Sequence, residues 1–168
     1  MGPTTYLHPR ADLGIIKKVA VIPFDNLSRD QFAGDKVREI FISELLATGG
    51  FDVMEPGEVT KVLREQGIAS VKSLGPAEVK KIGKALNAQA IILGSVNEYG
   101  EVRSGAITAP EVSLSLRMLE VESGQIVWSV SHTEGGIGVM ARLFGLGEST
   151  LSETTRKLVR IQIGTLFK

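Results

Sequence analysis

A chain of 168 residues with 43% hydrophobic content can bury one sizeable core, and one domain is the expectation. Its 19 Lys+Arg balance its 19 Asp+Glu, leaving none of the basic surplus that a nucleic-acid surface needs. It has no cysteine, which removes disulfides, thiolate zinc sites and cysteine nucleophiles.

No apolar run approaches the roughly 20 residues of a membrane-spanning helix, and no signal peptide is recognisable. Met1-Gly2-Pro3 is expected to stand where a native export or anchor segment was. Residues 1–16 hold Pro3, Pro9 and Gly14 without a clear period, and read as an extended, weakly held arm. Residues 17–168 read as a single domain.

Lys18–Ile22 is apolar at nearly every place, the pattern of a strand covered on both faces, and Pro23 closes it. The polar stretch Phe24–Asp30 offers Ser28 or Asp30 as a helix N-cap. Phe32, Val37, Ile40, Phe41, Leu45 and Leu46 then recur at helical spacing until Gly49-Gly50. Phe51–Met54 alternates as a short strand. Pro56 suits the first turn of the next helix, with Val59, Val62 and Leu63 inward. A third helix opens at Ser73–Pro76, buries Val79, Ile82 and Leu86, and ends at Asn87, which tolerates the left-handed conformation. Ala88–Val96 is the expected middle strand of the sheet.

Tyr99–Pro110 reads as a glycine-containing connection. Val112, Leu114, Leu116 and Met118 alternate with Glu111, Ser113, Ser115 and Arg117, and Glu122–Gln125 turns the chain into Ile126–Val130. The polar face of that hairpin, with Ser113, Ser115, Arg117, Ser129 and Ser131, is predicted to meet water or a partner. Gly135–Gly147 is both glycine-rich and apolar, which surface loops seldom are. Two readings of it stay open: Val139, Met140, Leu143 and Phe144 packed on the core along one helical face, or an exposed apolar element meeting a partner or lipid. Ser149 is placed as the cap of a last helix. The fold class is α/β (α+β): a mixed central sheet of about five strands flanked by helices, with a carboxy-terminal β-hairpin and a final helix.

Catalytic templates fail on chemistry. Gly145–Thr150 puts Glu148 where a phosphate loop needs a cation. Gly135–Gly138 lacks the strand context of a dinucleotide motif. His8 and His132 are the only histidines, and a metal site needs several converging ligands. No catalytic residue, cofactor or metal is expected. A rival reading places a small-ligand or enzymatic pocket near Asp25, Asn26 and Glu98.

Four stretches carry a resemblance: Val19–Asn26; Phe51–Glu55 followed by Val62–Gly67; Gly83–Val96; and Leu114–Ser129 with its Gly124-Gln125-Ile126 turn. In order and spacing they resemble the bacterial envelope proteins related to the curli-secretion channel lipoprotein (CsgG-like). That group includes the lipoprotein activators of penicillin-binding proteins and the amino-terminal domain of TolB. The resemblance implies a helix-flanked mixed sheet without catalytic residues. It also implies a periplasmic location, with a lipid on an amino-terminal cysteine at the outer membrane. Channel-forming relatives insert long alternating segments; Tyr99–Pro110 is too short and polar for a pair of spanning strands. The expected role is therefore a non-channel binding and assembly domain, with a secretion-channel subunit as the alternative. Its expected partners are envelope proteins or further copies of itself, met through Ile137, Val139, Met140, Leu143, Phe144 and Leu146 and through Ser113, Arg117 and Ser129.

Overall fold

The computed structural model describes residues 2–138 and 149–167. Its strands are β1 (Thr4–Leu7), β2 (Lys18–Val21), β3 (Asp25–Asn26), β4 (Asp52–Val53), β5 (Ala90–Ser104), β6 (Ile107–Glu120) and β7 (Ile126–Gly135). The described helices are α1 (Ala33–Ala47), α2 (Pro56–Glu65), α3 (Pro76–Leu86) and α4 (Leu151–Gly164). All strands join one mixed sheet in the order β1-β7-β6-β5-β2-β4, with β3 extending the sheet against β5 beyond the end of β2. Pairs among β2, β3, β4 and β5 are parallel, and those among β5, β6, β7 and β1 are antiparallel. Two of these strands, β1 and β3, lie beyond the five that periodicity predicts.

The predicted middle strand is the middle. Ile91 and Ile92 point to opposite faces and both are fully buried. On one face Val21, Ile92, Leu114, Met118 and Trp128 pack against Val37 and Phe41 of α1 and Leu158 and Val159 of α4. On the other, Ala20, Ile22, Ile91 and Leu93 pack against Val59 and Leu63 of α2 and Val79 and Ile82 of α3. This two-sided cover explains why β2 and the first half of β5 read as continuous apolar runs.

Helix boundaries follow the sequence closely. Pro56 and Pro76 sit in the first turns of α2 and α3, where a missing N–H costs nothing. Asn87 closes α3 in the left-handed conformation, φ 54°. Three local expectations are corrected. α1 is capped by neither Ser28 nor Asp30: Phe32 is its N-cap, and Asp30 instead accepts the Phe32 N–H at 2.8 Å. α4 is capped by Thr150, not Ser149; the Thr150 hydroxyl accepts the Glu153 N–H, the reach of a Thr-x-x-Glu start. Ser73 belongs to a separate short 3-10 turn, Val71–Ser73, rather than to α3.

The larger correction concerns Tyr99–Pro110, which is hairpin rather than connection. β5 and β6 stay in register from Glu98–Ser113 out to Ser104–Ile107, closing on the two residues Gly105-Ala106. Gly105 has φ +60°, the first-position glycine of a two-residue hairpin turn. The amino-terminal arm is likewise in the sheet: Thr4–Leu7 pairs antiparallel with Trp128–Ser131 of β7. The rest of the arm is tied at its far end by Gln89. Its Oε1 accepts the N–H groups of Lys17 and Lys18 at 2.7 and 3.0 Å, and its Nε2 donates to the Ile15 carbonyl at 2.9 Å.

Candidate functional site

Coverage of the sheet is unequal, and that creates the site. The α2/α3 pair lies in the crossover from β4 to β5, so it shields the β2/β5 half of its face. Beyond Leu119, which lies near the end of β6 in the same apolar cluster as α3, this face of β6, β7 and β1 carries no described helix. Alternation along β6 turns Leu114, Leu116 and Met118 into the core and leaves Ser113 and Ser115 half-buried and Arg117 exposed. Register then adds the neighbours: Ser115 lies opposite Ser95 and Ser131, Arg117 opposite Leu93 and Ser129, and Thr4 and Tyr6 of β1 opposite Ser131 and Ser129.

These hydroxyls bond to one another. The Ser131 hydroxyl donates to Ser115 at 2.9 Å, Asn97 Nδ2 donates to the same oxygen at 3.0 Å, and Ser95 donates to Asn97 Oδ1 at 3.0 Å. Thr133 donates to Ser113 at 3.0 Å. Asn97 reaches this row because β5 shifts register between Val96 and Glu98, an inserted residue of the kind that re-aims a side chain. A groove of about 440 Å³ runs along the row, walled by Val71, Lys72 and Asp25. Lys72 Nζ stands 3.9 Å from Asp25 Oδ1. Among the described residues no carboxylate pairs with Arg117.

The predicted interaction residues Ser113, Arg117 and Ser129 thus share one surface. Ile137 is half-buried, just past Gly135 and Gly136, whose φ values of 87° and 90° turn the chain out of β7. Gly135 admits no side chain, because a Cβ there would run into the Pro110 carbonyl oxygen. Val139, Met140, Leu143, Phe144 and Leu146 lie outside the described residues. The contributions of Thr4, Tyr6, Ser95 and Asn97 were not visible in the sequence: the first two need a partner strand far along the chain, and Asn97 needs the bulge.

The rival pocket does not assemble. Asp25 lines the groove above, whereas Glu98 lines a different one with Leu27, Arg29 and Glu111. Asn26 is spent on its own loop, donating to the Asp30 carbonyl at 2.7 Å and accepting the Ser28 N–H and hydroxyl. Strand order β4-β2-β5 puts a topological switch point between β2 and β5, where open α/β sheets take ligands at the carboxyl ends. Here Phe24 fills that place: a Cβ on Gly94 would lie 2.7 Å from its ring, and the ring packs on Phe41 at 5.8 Å.

The histidines are structural in their contacts. His8 Nδ1 accepts the Arg10 N–H, and His132 Nε2 lies 3.1 Å from Glu134, which also holds Lys157 at 3.0 Å. No group of three or more metal-ligating side chains converges among the described residues, and none of the described helices is long and apolar enough to cross a membrane.

Residues 17–163 match the family model of the curli production assembly/transport component CsgG. No curated protein matches the sequence. Several solved structures share the fold. A single-substitution variant of the PelC dodecamer from Paraburkholderia phytofirmans is 22% identical with a TM-score of 0.68, covering 99% of this chain and 98% of that one. Lipoprotein GNA1162 from Neisseria meningitidis is 19% identical with a TM-score of 0.60, over 76% and 92%. The LpoB C-terminal domain from Salmonella enterica is 16% identical with a TM-score of 0.54, over 70% and 81%.

Proposed function

The chain belongs to the CsgG family, and from that premise we propose a non-enzymatic assembly domain of the bacterial cell envelope, acting by protein–protein contact. The observation that carries this reading is the half-open sheet face, a preordered surface of paired hydroxyls around Arg117. Small polar side chains on a rigid sheet suit contact with another protein. Phe24 in the switch point supports the non-enzymatic half of the reading, since it occupies the place where this sheet order would take a small ligand.

The partners proposed are further copies of this chain or other envelope proteins. The dodecamer formed by PelC, which shares the fold, makes self-association the leading form. The location proposed is the periplasm, tethered to the outer membrane by a lipid on a cysteine upstream of these residues. A secretion-channel subunit is the weaker reading. Beyond the β5 bulge, the hairpin strands Glu98–Ser104 and Ile107–Ser113 are seven residues each, short of the roughly 9–11 that a spanning strand takes.

Light scattering on the lipidated protein, with and without detergent, tests the proposal. An oligomer that Arg117→Glu weakens about tenfold, a modest change for a charge reversal in an interface, supports it. A monomer at every concentration, with no envelope protein bound through this face, overturns it.

A further inference from the structure

We propose that the β7 edge is a strand-acceptor site whose occupant in the assembled protein is β1 of a second copy of this chain, exchanged between neighbours. The inference rests on the self-association reading above and names the contact that links the copies.

The acceptor's preference is written in the strand it already holds. Thr4, Thr5, Tyr6 and Leu7 pair with Ser131, Val130, Ser129 and Trp128, and the His8 N–H continues to the Val127 carbonyl at 3.0 Å. All four β1 side chains are exposed, Tyr6 by 44% and Leu7 by 36%. The strand is therefore held mainly by backbone pairing, and β1 of any copy offers the same pairing. Thr-Thr-Tyr-Leu also lacks the charges, proline or bulge that usually guard an edge strand.

The linker allows the exchange. In the closed form residues 8–17 cross from β1 to β2, four strand spacings in the sheet order or about 19 Å. Ten extended residues reach about 33 Å. The slack is folded into a turn from the Ala11 N–H to the His8 carbonyl and a 3-10 turn at Leu13–Ile15. Opening those two turns frees the reach at the cost of lifting Ala11 and Leu13, which are half-buried against the edge of the core. Beyond them Ile16 is buried and Gln89 holds Ile15, Lys17 and Lys18, so the hinge is confined to the residues before Ile15. Exchange of an identical element keeps every pairing of the closed form, which makes it a low-cost route to association.

These 168 residues contain no cysteine, which gives a silent background for the test. Thr4 and Ser131 are opposed in register and both exposed. Chains carrying Thr4→Cys alone and Ser131→Cys alone are mixed and mildly oxidised. A disulfide-linked heterodimer on a non-reducing gel is the expected result. Single variants that never link, while the T4C/S131C double variant closes its bond within one chain, overturn the exchange. Tyr6→Cys with Ser129→Cys repeats the test one pair along, so that one unfavourable disulfide does not decide it. Sedimentation of the wild-type chain separates the two readings. Oligomers with bonds only within chains overturn the exchange and leave assembly standing; monomers throughout, with bonds only within chains, overturn both.

Discussion

The Arg38 guanidinium donates from Nε and Nη2 to the carbonyl oxygen of Val21, at 3.2 and 2.6 Å. Val21 ends β2, and its residue is 1% exposed. β4 pairs only with Lys18 and Val19, so the α1 side chain serves the carbonyl that no strand reaches. Burial lowers the Arg38 pKa from its ordinary value, and the carboxylates of Asp35 and Glu55 oppose that shift. Arg38→Ala is expected to lower stability by about 1–3 kcal/mol, the cost of a buried acceptor left unpaired. Arg38→Lys is expected to recover only part of it, having no planar fork. Urea unfolding of the three proteins measures both.

Gly94 and Phe24 are coupled by contact. Gly94→Ala is expected to cost about 1–3 kcal/mol, because the new methyl meets the ring and the Leu116 side chain. Combining it with Phe24→Leu is expected to cost less than the two single changes together. A double-mutant cycle read by denaturation midpoints checks the coupling.

Trp128 is fully buried and is the only tryptophan. Its Nε1–H donates to the Thr165 hydroxyl at 2.8 Å, which in turn donates to the Gln162 carbonyl at 2.7 Å. Thr165→Val removes the acceptor and is expected to cost about 1–3 kcal/mol, with a shift in tryptophan emission. Thr165→Ser is expected to keep the wild-type spectrum.

The Asp30 carboxylate has its pKa lowered, first by the Phe32 N–H; desolvation opposes that shift, and Lys36 and the Ala33 N–H reinforce it. A depressed folded-state pKa contributes stability that is complete above the unfolded value, about 4 for aspartate, and is lost as pH falls through the folded value. Asp30→Asn is therefore expected to be less stable than wild type at neutral pH. That difference should close as the pH falls below the aspartate range. Urea midpoints of both proteins across that range check the sign.

Where local chemistry and two-sided burial coincide, the chain could be read directly. Pro56, Pro76 and Asn87 mark helix ends by backbone preference alone, and Ile91-Ile92 mark a strand with both faces covered. Legibility fell where burial fell. From Glu98 to Ser104 the hairpin runs past the helices, so neither face is consistently apolar and the period-two signal fades. The Gly105-Ala106 pair was the remaining clue. For β1, the deciding partner lies on β7 at the opposite end of the chain. At the candidate site, the alternation around Ser113, Arg117 and Ser129 was visible. The bulge that brings Asn97 among them was not, since an inserted residue leaves no periodic mark.

The mutual bonding of Ser95, Asn97, Ser115 and Ser131 has a thermodynamic consequence for whatever comes to lie on them. Covering a polar surface normally strips water from groups that then need new partners from the incoming molecule. Here many of those donors and acceptors bring their partners with them. The surface can stand wet in a lone subunit and dry in a complex with little change in its internal bonding. An incoming molecule has only to match its contour and answer Arg117.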